Sequence, residues 1–442
     1  MNDTLDLNPG AGSLSRLEPL AIRVIQDAAG WDAIRAEWDQ LYAVSPTASP
    51  PLDFAWLRCW WRLYGPVYGV GGLRIITLWR GRQLAGVLPL YLALGRGGML
   101  SASCLRFIST GEAEFEETCP DYLNLLCHPG DEQECAQAAW RAVYAMPWDT
   151  LELLDLPADS PLLRWRGNAS SAGKITITER GSCPIANLGE GFETYLAHLS
   201  AKSRKTARQE IRKAELSGAV LELVGAEDAD HCFDDLVRLH QARWVADGKP
   251  GCFSAPRFTE FHRQLVRQCS PSGRVVLARL SHQGQAQVVL YGFVTGAKFD
   301  LYQMGINPAA RTLLHSPGTA ANLLLMMKLV SRGITRYDFL RGNSVFKKSL
   351  ATQQQDVVRL TCRRITARAL LDQMHRLSLG GLRRVLRRFA VIEREGAGDE
   401  KDHCVPSALS QWLAPLAASH RALVRRACAQ LPPHRRSTGI EF

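Results

Sequence analysis

The sequence predicts an α/β (α+β) fold: two tandem lobes with mixed, largely antiparallel sheets, plus a helical C-terminal extension. Three observations predict it. A β-hairpin pattern occurs in each half of the chain, at Leu73–Leu94 and at Val275–Val294. Each hairpin is followed by a helical run and then a short apolar strand, at Glu132–Tyr144 with Thr150–Leu156 and at Ser316–Arg332 with Thr335–Leu340. After residue 366 the strand signals stop, and runs rich in Arg and Leu continue to the end. The repeated order reads as a tandem duplication of one α/β unit. The expected organisation is a flexible tail at 1–18, an N-terminal lobe at 19–185, a C-terminal lobe at 186–365 and a basic helical extension at 366–442.

The elements follow from local pattern. Ala21–Ile25 reads as a strand, and Trp31, Ile34, Trp38 and Leu41 recur at helical spacing. A helix follows at Phe54–Tyr64. The first hairpin turns at Arg80-Gly81-Arg82, and another strand is expected at Leu105–Ile108. In the second half, Phe192–Leu216 reads as one long helix ended by Gly218, a residue suited to a helix C-terminus. A strand at Val220–Val224 and helices at Ala229–Asp247 and Pro256–Cys269 precede the second hairpin, and Phe299–Met304 forms a third strand beside it.

Composition narrows the possibilities. The chain has 442 residues, 46% hydrophobic and 22% charged, enough for a packed core and unlike a disordered chain. No stretch approaches the roughly 20 apolar residues that span a bilayer. Met1–Pro9 carries Asp3 and Asp6 and no basic residue, so no cationic leader is read there, and the expected location is cytoplasmic. Of twelve cysteines, no pair has Cys-x-x-Cys spacing, and no metal is expected. The net charge of +10 is concentrated. Lys202–Lys213 holds six basic residues against Glu210, and Arg363–Arg394 holds nine arginines against Asp372 and Glu393. Both segments read as helical.

The turn Ser316-Pro317-Gly318-Thr319 lies between the third strand of the second hairpin group and a helix. Serine is a good N-cap, proline suits the first helical turn, and glycine admits a close ligand. Free amides and the helix dipole attract anions there, so a pyrophosphate is a natural ligand, with Arg311 close by in sequence. An ordinary capped helix would carry the same tripeptide.

Beyond these patterns the chain resembles the N-acetyltransferase (GNAT) proteins of the CelD, or BioF2-like, acetyltransferase family, which are related to FemAB-like transferases. The resemblance rests on Arg204 with its basic run, His240-Gln-Ala-Arg243-Trp244 followed by Gly248, Phe253, Phe261-His262, and Ser316-Pro317-Gly318. Tyr337-Asp338-Phe339-Leu340-Arg341-Gly342 and Phe346-Lys347 complete the set, and Val87–Leu90, Leu105–Ile108 and Asp121-Tyr122 fit in the first half. It covers roughly residues 20–365. Phe346 stands where the family usually shows tyrosine, so any hydroxyl role is lost there. The resemblance implies a GNAT fold in each lobe, acetyl-CoA or another acyl-CoA as co-substrate, and a setting in cellulose, exopolysaccharide or envelope synthesis.

Direct acyl transfer needs a base for the acceptor, donors that polarise the carbonyl, and an acid for the leaving thiolate. Asp338 and His240 are candidate bases, against readings as a structural carboxylate and a packed helix histidine. Tyr302 or Tyr291 is the candidate acid, against a core tyrosine. Ser316, Pro317, Gly318, Thr319 and Arg311 are expected to hold the donor phosphates. Arg204, Arg208, Arg243, Trp244, Arg341 and Lys347 are the candidates for the acceptor. Arg204, Arg208 and Arg212 recur every four residues and share one helix face. The expected function is an acyl-CoA-dependent N- or O-acyltransferase acting on a small-molecule or glycan-precursor acceptor. The alternatives are a FemAB-like transferase using aminoacyl-tRNA and a non-catalytic component of a polysaccharide-synthesis complex. The 366–442 segment could dock on a membrane surface or a protein complex, and no specific nucleic acid is expected.

Overall fold

Period-two apolar patterns and capped helical runs alternate along the chain. The computed structural model describes residues 18–94, 102–166, 173–342, 344–364 and 366. The first half holds β1 (Ala21–Ile25), α1 (Ala28–Asp32), α2 (Arg35–Val44), α3 (Phe54–Tyr68), β2 (Leu73–Arg80), β3 (Gln83–Leu94), β4 (Ser103–Phe107), β5 (Leu126–Cys127), α4 (Glu132–Ala145), β6 (Thr150–Pro157), α5 (Pro161–Arg164) and β7 (Lys174–Asn187). Then come α6 (Phe192–His198), α7 (Ala201–Ser217), β8 (Val220–Leu223), α8 (Ala229–Ala246), α9 (Pro256–Cys269), β9 (Val275–His282), β10 (Gln285–Thr295), β11 (Lys298–Ile306), α10 (Pro317–Val330), β12 (Arg336–Asp338), α11 (Val345–Leu350) and β13 (Gln353–Arg363).

Local chemistry places many of these ends. The Asp53 side chain accepts from the Ala55 amide to start α3, and Gly218, in the left-handed region at φ 72°, ends α7. The single helix expected at Phe192–Leu216 is two. Ser200 accepts from the Ser203 amide and starts α7, while Arg204 donates to Ala197 O at 2.8 Å and ties the corner. Arg363 closes β13 instead of opening a helix. The remainder of the expected basic extension, and the expected tail up to residue 17, lie outside the described residues.

One mixed sheet of thirteen strands runs through both halves, in the order β1-β2-β3-β4-β6-β13-β7-β12-β11-β10-β9-β8, with β5 beside β3. The order reads the same way from each end. The parallel pair β4–β6 matches the parallel pair β11–β12, and every other pairing is antiparallel. At the centre the two halves exchange strands. β7 follows β6 in sequence but pairs with β12, and β13 follows β12 but pairs with β6. β7 and β13 then pair with each other from Ile185↔Gln353 to Lys174↔Arg363. The boundary expected at 185/186 therefore falls inside β7.

Two main cores cover the C-terminal half of this sheet. On one face α8 and α9 join the N-terminal helices, where Trp56 packs on Phe261 and Phe293. On the other face α6, α7 and α10 cover Leu290, Phe299 and Tyr337. Between the halves lies a buried ionic seam. Arg341 donates to Asp155 Oδ1 at 2.6 Å, its Nε lies 3.3 Å from Asp121, and its amide donates to Asp121 at 2.8 Å. Burial pushes the Asp121 carboxyl up to about 6. Asp155 is wholly buried and also accepts from Arg180 at 3.2 Å.

Arg341→Met removes the guanidinium that two buried carboxylates share. It is expected to lower stability by about 3 kcal/mol, measured as the shift of a urea unfolding curve.

Candidate functional site

The parallel pair β11–β12 is short. Pairing runs from Lys298↔Arg336 to Asp300↔Asp338 and stops, while β11 continues to Ile306. Past Asp338 the chain turns away through Leu340, which has φ 55° and whose amide donates to Asp338 Oδ1 at 2.8 Å. Among the described residues, the edge of β11 from Leu301 to Ile306 is thereby left without a strand partner on the β12 side. On its other side the register slips: Tyr291 pairs with Gln303 and Gly292 with Leu301, so Tyr302 is the extra residue of a β-bulge. Gly292, opposite the bulge, leaves room for Asp300 O and the Phe299 ring, which a Cβ there would approach within 2.4 Å. The slip also reassigns faces. Met304 and Ile306 point to the α10 core, whereas Gly305 abuts α8, where a Cβ would lie 2.8 Å from Leu236 O.

The start of α10 lies against this free segment. A Cβ on Gly318 would meet Met304 Sδ and Ile306 Cδ1 at 3.1 Å. Ser316 Oγ shares a hydrogen bond with Thr319 Oγ1 at 2.7 Å, and the first helical bond is Ala320 N to Ser316 O at 3.0 Å. Pro317 has no N–H, and the Gly318 and Thr319 amides find no partner among the described residues. Asn322, fully buried, donates to Gly318 O at 2.7 Å and accepts from the Tyr337 hydroxyl at 2.6 Å, which fixes this turn to β12. No acidic residue stands in the first turn of α10.

The matching helix of the first half, α4, begins with Asp131 as N-cap and Glu132 and Glu134 in its first turn. The dipole attracts anions at both starts, but the acids of α4 repel a phosphate. The start of α10 carries no such acid in its first turn. An internal anion already lies there: Glu210 on α7, 2% exposed, accepts from the Ser316 amide at 3.0 Å and lies 3.5 Å from His315 Nδ1. Arg311 is exposed on the 3-10 turn Pro308–Thr312.

The structure separates several residues that the sequence groups together. Asp338 is fully buried at the seam, where it accepts from the Tyr122 hydroxyl at 2.8 Å, the Leu340 amide and Arg336 at 3.2 Å. Lys347 donates to the carbonyls of Arg341 and Leu340 at 3.0 and 3.2 Å, and burial holds its ammonium below the usual range. Phe346 packs edge-on to Phe339. Asp338 and Arg341 thus tie the halves together, and Lys347 braces the turn that carries Arg341. Asp300, which no sequence motif marks, is fully buried beside Asp338 with Lys298 Nζ at 3.1 Å, and burial pushes its carboxyl up to about 7.

Tyr302 donates to Thr118 O at 2.6 Å, so it accepts from His262 Nε2 at 3.0 Å, and His262 Nδ1 accepts from Tyr291 at 3.2 Å. Both hydroxyls expected to serve as acids are therefore committed to a buried chain of hydrogen bonds. His240 is 4% exposed on α8. Its Nδ1 faces Gln241 Oε1 at 3.1 Å, and its Nε2 faces Cys252 Sγ at 3.7 Å, while Gln303 Nε2 donates to the same sulfur at 3.6 Å. Trp244 flanks His240 and carries Lys249 over its ring, and Arg243 is exposed. Arg204 is spent on the α6–α7 corner, and Arg208 reaches Glu193 at 3.5 Å. Beside them a shallow concavity of about 340 Å³ is lined by Arg204, Lys205, Arg208 and Arg212.

Residues 201–348 match the family model of the acetyltransferase (GNAT) domain. The match runs from α7 to α11 and contains the free β11 edge and the α10 start. The solved structure of FemX is similar at a TM-score of 0.51 and 13% identity, covering 76% of this chain and 96% of that one. A tandem GNAT protein from the clavulanic acid biosynthesis pathway (TM-score 0.37, 18% identity, 77% and 98% covered) and a GNAT-family acetyltransferase from Colwellia psychrerythraea (TM-score 0.37, 13% identity, 78% and 100% covered) are also similar. A search of curated protein sequences finds no match. Residues 201–348 are matched as an acetyltransferase (GNAT) domain, and the protein is an acyltransferase. Among the described residues no helix is long and apolar enough to cross a membrane, and no three His, Cys, Asp or Glu side chains gather as a metal site requires.

Tyr302→Phe is expected to cost about 1–2 kcal/mol of stability, because Thr118 O and His262 lose their partner. Burial pulls His262 down to about 3 from its ordinary 6.5, so folding keeps it neutral. The stability tied to it is fully present above about pH 6.5 and is lost as the pH falls toward 3. Denaturant titrations from pH 7 to 4 should show this limb flattened in His262→Leu.

Proposed function

We propose that the protein transfers an acyl group from acyl-CoA, most simply acetyl-CoA, to an amine or hydroxyl of a sugar or cell-envelope precursor. The free β11 edge that runs into the unpaired Gly318 and Thr319 amides carries this reading. A donor with its phosphates at those amides would lie along Leu301–Ile306, and its thioester would reach the bulge at Tyr302, where backbone groups are released from the ladder. Ser316 and Thr319 would orient the phosphates, and Arg311, exposed on the preceding turn, would add charge.

The acceptor is read from charge. Lys202, Lys205, Arg208, Arg212 and Lys213 are exposed along α7, the helix that also sends Glu210 to the α10 start. A phosphate-bearing precursor suits that face, and so does a CelD-like setting in envelope synthesis. The same cations support a second reading, in which the donor is an aminoacyl-tRNA. Ribonuclease treatment separates the two.

Saturating CoA or acetyl-CoA is expected to stabilise the protein by about 2.7 kcal/mol at a hundredfold excess over Kd, read as a rise in Tm. Gly318→Asp places a carboxylate at the phosphate position and should abolish the rise. Gly318→Ala, which crowds Met304 and Ile306 without adding charge, should retain most of it. Glu210→Gln removes the competing internal anion and should tighten CoA binding by about 0.5–1 kcal/mol. No rise with any acyl-CoA would sink the reading.

A further inference from the structure

We propose that Cys252 carries the acyl group as a thioester between donor and acceptor, with His240 as its base. This rests on the acyl-CoA reading above and replaces direct transfer with two steps. The two faces of one strand segment motivate it. Met304 and Ile306 of the free β11 edge meet the α10 start, while Gln303 and Gly305 of the same edge meet Cys252 and α8. A donor held by its phosphates on the α10 side and threaded along this edge delivers its acyl end beside Cys252.

The side chains there stand in the order that nucleophilic catalysis requires. Cys252 Sγ faces His240 Nε2 at 3.7 Å, and His240 Nδ1 faces Gln241 Oε1 at 3.1 Å. An amide oxygen can only accept, so Gln241 holds the proton on Nδ1 and leaves Nε2 as the acceptor toward sulfur. Gln241 is itself held, since its Nε2 donates to Pro250 O at 2.8 Å. Gln303 Nε2 donates to the sulfur from the opposite side at 3.6 Å, a contact that favours developing negative charge. His240 is fixed edge-on to Phe253, with ring centroids 5.0 Å apart. Seven of the ten described cysteines are buried outright, whereas Cys252 keeps partial exposure beside an imidazole.

Burial pushes the Cys252 thiol up to about 12 and lowers His240. The resting pair is therefore neutral, and the proton moves as the attack proceeds. Sγ attacks the thioester carbonyl carbon of acyl-CoA, and the Sγ proton passes to His240 Nε2. The carbonyl–sulfur bond of the donor breaks, its electron pair leaves with the CoA sulfur, and the CoA thiolate takes the proton from His240. One thioester replaces another, so no further reactant is needed. The acceptor amine or hydroxyl then attacks the Cys252 thioester, gives its proton to His240 and regenerates the thiol.

The test uses the full chain and acetyl-CoA without an acceptor, quenched in acid and weighed by mass spectrometry, with released CoA measured alongside. A gain of one acetyl group, mapped to Cys252 and removed by hydroxylamine, or CoA release that requires Cys252, is expected. Cys252→Ala and Cys252→Ser should lose adduct and release while keeping the Tm rise with CoA. His240→Gln should keep the Tm rise and slow acylation about a hundredfold. A wild-type protein that shows the Tm rise but neither adduct nor Cys252-dependent release overturns this proposal and leaves the donor reading standing. Absence of the Tm rise in the wild-type protein overturns both.

Discussion

The exchange of β7 and β13 is the constraint on which the rest of the structure depends. Each half lacks the strand that completes its own sheet and receives it from the other. The two halves therefore cannot separate without breaking the central ladder, and the seam between them can hold groups that water would otherwise solvate. Asp121, Asp155 and Asp338 are buried there, with Arg341 half-buried among them, because β12 is held between β11 and β7. Buried charges of this kind are tolerated when each has its partner, and they punish any arrangement that breaks the pairing.

From that seam the site follows by geometry. β12 is short, so its pairing with β11 ends at Asp300 and Asp338 while β11 runs on. The bulge at Tyr302 turns the remaining segment so that alternate residues address α10 and α8. The α10 start and the Cys252–His240 pair thus lie against the two faces of one strand segment. The sheet order is matched in the two halves, but charge distinguishes the corresponding helix starts. The start of α4 is acidic, and the start of α10 is not.

Much of the fold was legible in the sequence where the signal is local. Both hairpins, the strand at β6 and the helix at Pro256–Cys269 follow from apolar periodicity and turn residues. β7 and β13 were not legible. β7 is exposed along most of its first half and begins Lys-Ile-Thr-Ile-Thr-Glu-Arg, while β13 opens with three glutamines and Asp356. Neither presents the continuous apolar run of a central strand, because each leans on the other for hydrogen bonds more than on a core. The break between α6 and α7 was hidden because Leu199-Ser200 continues the helical apolar spacing, and only the cap at Ser200 and the Arg204 corner reveal it.

The candidate site divides in the same way. The sequence by itself determined where this helix starts, since Ser316, Pro317 and Gly318 act within one turn of the backbone, although the Ser316 hydroxyl bonds Thr319 Oγ1 and no backbone amide, and it pointed to His240 through the motif around it. The tertiary structure alone decided that Asp338 and Arg341 bind the halves together, that Tyr302 is committed to Thr118 and His262, and that Glu210 shields the helix start. It alone brought Cys252 to His240 and Gln303. The physical reason is that these roles depend on burial and on partners far away in the chain. A side chain's local sequence says what it can donate or accept, whereas its role depends on which distant group the packed sheet places against it.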